Sequence, residues 1–228
     1  MNTDKSKKTT TYVALLTVIA VVAGTIIIGL SGSPQTSENG AVTETKADSS
    51  VPTSGLSPSD KVTMTLQTNQ GQIVIETIPD KALITVNALA AIAEVGFYDG
   101  NICHRLTTEG IFVVQCGDPE ADGPGGNPDG VGGPGFALPD ENLPAAIANN
   151  YPAGTVAMAN AGPGTGGSQF FLVYQDTTLG PNYTIWGNIS AGLDILQNIA
   201  AQGVLDGGTD GPLVSGLTIE SVAVSINQ

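Results

Sequence analysis

From Asp60 onward, apolar residues recur mainly at every second position, in short runs cut by glycine and proline. This patterning constrains the fold more than any other feature of the chain. Period-two runs make strands with one covered face, and runs this short leave little room for helix. Val62, Met64 and Leu66 alternate with polar residues, Asn69-Gln70-Gly71 marks a turn, and Ile73 and Ile75 resume the alternation. An antiparallel hairpin is predicted there. Residues 102–106, 111–115, 155–159, 169–173 and 184–187 read as further short strands. Residues 217–226 alternate with one slip at Ser221, which predicts a bulge. Only two stretches switch to helical spacing. One runs from a cap at Asp80 to Glu94, with Leu83, Val86, Leu89, Ala90 and Ala93 at helical intervals and Gly96 closing it. The other covers 193–201, with Leu193, Leu196, Ile199 and Ala200 on one side. Many short strands, two helices and glycine-rich loops predict a mainly β fold, a closed antiparallel barrel capped by helices.

The first 58 residues follow other rules. Residues 12–30 carry no charge and are dominated by Val, Ile, Leu and Ala, long enough to span a bilayer as a helix. Lys5, Lys7 and Lys8 precede this stretch and no basic residue follows until Lys46, which places residues 1–11 in the cytoplasm and the rest outside. The reading favours a retained single-pass anchor in the cell membrane over a cleaved signal peptide that would leave the domain secreted. Residues 31–58 hold few large apolar groups and read as a flexible linker. The folded domain is expected over 59–228.

The formal charge of −14 falls entirely on that domain, because Lys5, Lys7, Lys8 and Lys46 balance four carboxylates before residue 59. So acidic a surface excludes nucleic acid as a partner. No pair of cysteines or histidines has metal-ligand spacing, and no metal or cofactor is expected. Asp118, Glu120, Asp122, Gly123 and Asp129 fit a calcium-loop spacing poorly, with Glu at its third position and Asp at its twelfth. Cys103 and Cys116 fall on neighbouring strands. Two buried thiols are favoured over a bridge, which stays open to a protein outside the cytosol.

Arg105 is the only arginine of the chain and His104 the only histidine. Arginine offers a rigid planar fork that lysine lacks. Neighbours on a strand face opposite ways, so with Arg105 on a groove His104 faces the core. Cys103-His104-Arg105, Gln115-Cys116-Gly117-Asp118, the run 158–171 (MANAGPGTGGSQFF) and Trp186-Gly187, in this order, closely resemble the cyclophilin family of peptidyl-prolyl cis/trans isomerases. The likeness covers nearly all of 61–228. It implies an eight-stranded antiparallel barrel with a helix at each end and an outer groove for Xaa-Pro peptides.

The same resemblance assigns roles. Arg105 matches the catalytic arginine, which would donate to the proline nitrogen as the amide twists. Gln115 would steady it, and the backbone N–H of Asn160 would hold the carbonyl before proline. Phe112, Val113, Phe171 and Leu179 match the proline pocket, and Ala159 and Gln169 match contacts along the groove. Trp186 matches a packing position. Val113 stands where many members have methionine, Tyr183 where the family has a pocket histidine, and Thr178 nearest to a missing tryptophan tied to cyclosporin binding. Weak cyclosporin affinity is therefore expected. The segment 106–110 is longer than usual, as in actinobacterial members. Function is read as a folding isomerase for exported proteins. The alternatives are an extracytoplasmic proline-peptide binding module with little turnover and a purely structural use of the barrel. A monomer is expected, since a closed barrel has no long free edge.

Overall fold

This computed structural model describes residues 50–123 and 130–227. The segment 12–30, read as a membrane span, lies outside them, as does most of the linker. Among the described residues no helix is long and apolar enough to cross a membrane.

The expected hairpin is β1 (Lys61–Thr68) and β2 (Gly71–Thr77), with Met64 opposite Ile75 and Leu66 opposite Ile73. Its inward residues Val62, Met64, Leu66, Ile73 and Ile75 are all buried, as the period-two pattern demands. Helix α1 spans Leu83–Glu94. It starts later than expected, and Asp80 does not cap it. Its first turn is capped from a distance by Glu141. That carboxylate accepts the Ile84 and Thr85 N–H groups at 3.1 and 2.8 Å and the Thr85 hydroxyl at 2.7 Å. An anion suits the partial positive charge of a helix start, so the remote cap replaces the local one. Gly96 follows the helix with φ +76, as its C-terminal signal implied.

The single strand expected at 102–106 is two pieces, β3 (Asn101–Ile102) and β4 (Arg105–Thr107), separated by Cys103 and His104. Strands β5 (Val113–Cys116), β6 (Thr155–Met158), β7 (Phe170–Val173) and β8 (Ile185–Ala191) follow. Then come helix α2 (Leu193–Gln202), the short β9 (Asp210–Gly211) and β10 (Thr218–Asn227). All pairings are antiparallel, in the order β3-β10-β1-β2-β8-β6-β7-β5-β4-β9. The slip near Ser221 is a bulge: Gln67 opposes Ser221 while Thr68 opposes Ile219, leaving Glu220 as the extra residue.

The core lies inside the curled sheet, where Leu106, Val114, Val156, Leu172 and Trp186 meet Val86 and Leu89 of α1 and Leu196 and Ile199 of α2. Trp186 packs edge-to-face on Phe170 at 5.7 Å, a packing role as expected. Two further departures concern the start of the domain and its cysteines. Residues 51–56, expected in the linker, pack on the domain: Leu56 N–H donates to Asn87 Oδ1 at 2.8 Å, and Asn87 Nδ2 donates back to the Leu56 carbonyl at 3.2 Å. A buried asparagine on α1 needs such partners, and this segment supplies them. Cys103 and Cys116 are joined in a disulfide rather than left as thiols, their Cα atoms 4.0 Å apart. Beside the antiparallel β4–β5 pair the two side chains approach closely enough to bond, a proximity that composition does not reveal.

Candidate active site

Strands β6 and β7 are buried along their whole length, and β5 at every residue but the half-buried Gln115. Alternation explains this. Val114, Cys116, Val156, Met158, Phe170 and Leu172 face the core. Val113, Ala157, Phe171 and Val173 face outward and form a second apolar cluster with Tyr151, joined by Ile111, Ala159, Leu179, Tyr183 and Ile185. The sheet is therefore covered on both sides here, and the outer cover is a small pocket.

The pocket holds about 190 Å³ and is lined by Arg105, Ile111, Val113, Gln115, Ala159, Asn160, Phe171, Leu179 and Tyr183. It unites nine named residues, eight of which were assigned from the sequence, Ile111 being the addition. A second depression of about 290 Å³ shares Gln115, Ala159 and Asn160 with it and continues past Gln169 to Gly132 and Thr165. Phe112 is not in the pocket. One step of alternation from Val113 turns it to the other face, where it packs edge-to-face on Tyr174 at 6.0 Å. Ile111 takes the place expected of it.

The polar rim is an ordered chain of hydrogen bonds. Arg105 and Gln115 are directly opposed on β4 and β5. Arg105 Nη1 donates to Gln115 Oε1 at 3.2 Å, Gln115 Nε2 to Gln169 Oε1 at 2.9 Å, and Gln169 Nε2 to the Gly132 carbonyl at 2.8 Å. The other edge of the guanidinium meets Asp210: Nε and Nη2 each lie 2.7 Å from a carboxylate oxygen. That carboxylate raises the Arg105 pKa above its ordinary value, and Arg105 in turn lowers that of Asp210. His104 is buried, as the alternation predicted.

At the other side of the pocket the Asn160 side chain is occupied, donating to the Asn182 carbonyl at 2.8 Å and accepting Gly162 N–H at 3.2 Å. Its neighbours' amides are committed too, Ala159 N–H to the Gln169 carbonyl and Ala161 N–H to Thr165 Oγ1. The Asn160 N–H has no such acceptor among the described residues and borders the pocket.

Sequence reasoning missed the floor beneath Leu179 and Tyr183. Asn150 brackets Leu179 through both its amide atoms, at 2.8 and 3.0 Å. Tyr151 is wholly buried, its hydroxyl accepts Tyr183 N–H at 3.1 Å, and its ring meets Phe171 and Tyr183 edge-on at 6.0 and 6.2 Å. Burial pushes the Tyr151 hydroxyl above the usual phenol range. The hydrophobic pattern around 149–151 is too brief to signal this. Part of the calcium-loop spacing, 124–129, lies outside the described residues. Asp118 is already engaged, its carboxylate accepting the N–H groups of Glu120, Gly130 and Gly132.

A curled antiparallel sheet with two helices thus carries an arginine, a glutamine and an uncommitted backbone donor around an outward apolar pocket. The family model for cyclophilin type peptidyl-prolyl cis-trans isomerases matches residues 63–224, and the chain belongs to this family. It is 42% identical over 185 residues to "Probable peptidyl-prolyl cis-trans isomerase B" of Mycobacterium tuberculosis, covering 75% of this chain and 58% of that protein. The chain thus spans about three-fifths of that relative. It is 38% identical over 179 residues to peptidyl-prolyl cis-trans isomerase B of Streptomyces anulatus, covering 70% of this chain and 94% of that protein. Among solved structures, a cyclophilin type isomerase of Cryptosporidium parvum superposes with a TM-score of 0.61 at 23% identity, over 74% of this chain and 99% of its own. The same protein was also crystallised in the presence of the dipeptide Ala-Pro, with a TM-score of 0.60.

Proposed function

We propose that this chain is a peptidyl-prolyl cis/trans isomerase held outside the cytoplasm by residues 12–30, acting on Xaa-Pro segments of exported proteins. One observation carries the catalytic part: an ordered guanidinium and a free backbone N–H stand on the rim of one small apolar pocket. Rotation about a peptide C–N bond costs about 18–20 kcal/mol, because resonance holds the amide planar. In the twisted state the proline nitrogen regains a lone pair and accepts a hydrogen bond. Arg105 meets that nitrogen and gives little to the planar forms, so it stabilises the transition state selectively. Asn160 N–H holds the preceding carbonyl. Phe171, Leu179, Val113 and Ile111 grip the proline ring while the rest of the chain turns. Differential stabilisation of about 7 kcal/mol corresponds to roughly five powers of ten in rate. No nucleophile, general base or metal is needed.

The pairing pattern supports an eight-stranded closed barrel. Strands β3 and β4 are separated by two residues and pair with β10 and β5 respectively. Taken as one interrupted strand, they join the two flanks of the sheet. The disulfide supports the extracytoplasmic placement, since such bonds persist in oxidising compartments. Val113 and Thr178 support weak cyclosporin binding, and the closed edge supports a monomer. The test is isomerisation of an Ala-Pro-Phe type peptide by the full chain beside Arg105→Ala. Turnover in the parent that is lost in the variant supports the reading. A folded parent that binds the peptide without turnover makes it a binding module.

A further inference from the structure

Asp210 is one carboxylate among many in an acidic chain, within a glycine-rich stretch that carries no motif. The fold gives it a specific place. β9 docks on β4, with Thr107 opposite Asp210 and Leu106 opposite Gly211, and Thr108 N–H donates to the Thr209 carbonyl at 2.8 Å. The strand that presents Arg105 is thus the strand that receives Asp210. The unusually long 106–110 segment supplies part of this docking edge.

The contact is a side-on fork: Nε and Nη2 of Arg105 donate to the two oxygens of Asp210, both at 2.7 Å. Two parallel charge-assisted bonds fix the plane of a guanidinium as well as its position. The Nη1 bond to Gln115 adds a third anchor. Arginine has five N–H donors. Three are engaged, and the remaining two, one on Nη1 and one on Nη2, belong to the end of the fork that the carboxylate does not touch. The arrangement therefore orders the side chain without consuming it. A long flexible stem would otherwise have to be immobilised in each catalytic cycle.

We propose that Asp210 is a positioning residue, which holds the guanidinium of Arg105 in the orientation used on the proline amide. This rests on the isomerase reading above and adds a residue to it. Because Arg105 is the only arginine, its Nε–H gives a single side-chain resonance in a ¹⁵N-labelled full chain. In the parent that resonance should exchange slowly with solvent. In Asp210→Ala it should move to the position of a free guanidinium and exchange rapidly. With an Ala-Pro-Phe type peptide, kcat should fall by about tenfold or more while KM changes by less than about twofold. Asp210→Asn keeps the size of the side chain and serves should the alanine variant not fold. It loses the second acceptor and should show the same direction of change. An unmoved resonance overturns the proposal, and so does a kcat that stays level or rises, the sign of a carboxylate that restrains the arginine. Absence of turnover in the parent counts against the isomerase reading alone, and the resonance still decides whether the clamp exists.

Discussion

Three of the five donors of Arg105 are held by Asp210 and Gln115, and in the proposed mechanism the two left over face the substrate. Charge at this position is therefore less important than shape. Lysine would keep the charge and lose the planar fork, so it could not hold Asp210 and Gln115 while facing a substrate. Arg105→Lys should lower kcat by about a hundredfold, roughly 2.7 kcal/mol of transition-state stabilisation, with KM nearly unchanged. Steady-state kinetics on a proline peptide read this directly, and near-parental kcat would show that charge suffices. The pair also has a pH signature. Arg105 lowers the Asp210 pKa below the ordinary 3.8, so its stabilisation is present above the ordinary aspartate range and is lost as pH falls through the depressed folded value. Both side chains are well exposed, at 39% and 53%, so solvent screening limits the contribution to about 1 kcal/mol or less. Melting curves of the parent and Asp210→Asn should differ slightly at neutral pH and converge once the pH has fallen below the depressed folded value of Asp210.

At the scale of elements, the strands that build the site differ visibly from those that do not. β1 alternates buried and half-buried positions, whereas Phe170-Phe171-Leu172-Val173 is apolar throughout because both faces of β7 are covered. That contrast stands in the sequence, as do the hairpin and the bulge, whereas the register that sets Arg105 opposite Gln115 does not. Phe112 was misplaced because a motif match ignores alternation, and Ile111 was overlooked for the same reason. The Asp210 clamp, the Asn150 and Tyr151 floor and the Glu141 cap join residues far apart in the chain, and local patterns carry no trace of them. Glu141 binds the first turn of α1 from 56 residues away. Glu141→Ala should cost about 1 kcal/mol, the usual worth of a helix cap, and lower Tm by roughly 2–4 °C. Gly117 is another such point. It has φ +86, and a Cβ there would strike the Ser168 carbonyl. Gly117→Ala should cost more than the roughly 1–3 kcal/mol of a left-handed residue alone, by thermal or chemical unfolding.

For the molecule as a whole, the disulfide links stability to redox conditions. Cys103 lies two residues before Arg105 and Cys116 one after Gln115, so the bond staples the two strands that carry the rim of the site. It closes a loop with a sequence separation of 13, for which the chain-entropy model gives about 3 kcal/mol. In a domain of this size that is about 6–12 °C in Tm. The β4–β5 ladder and the Asp210 clamp do not depend on the bond, so they keep Arg105 opposite Gln115 while the domain remains folded. Reduction, or the double change Cys103→Ala and Cys116→Ala, should therefore lower Tm by that margin and leave kcat at 25 °C within about twofold of the parent. Melting curves and peptide kinetics with and without a reductant separate the two effects. If kcat falls together with Tm, the staple itself sets the geometry of the site. If neither changes, residual structure already holds this loop in the unfolded ensemble, and the bond is not a source of stability.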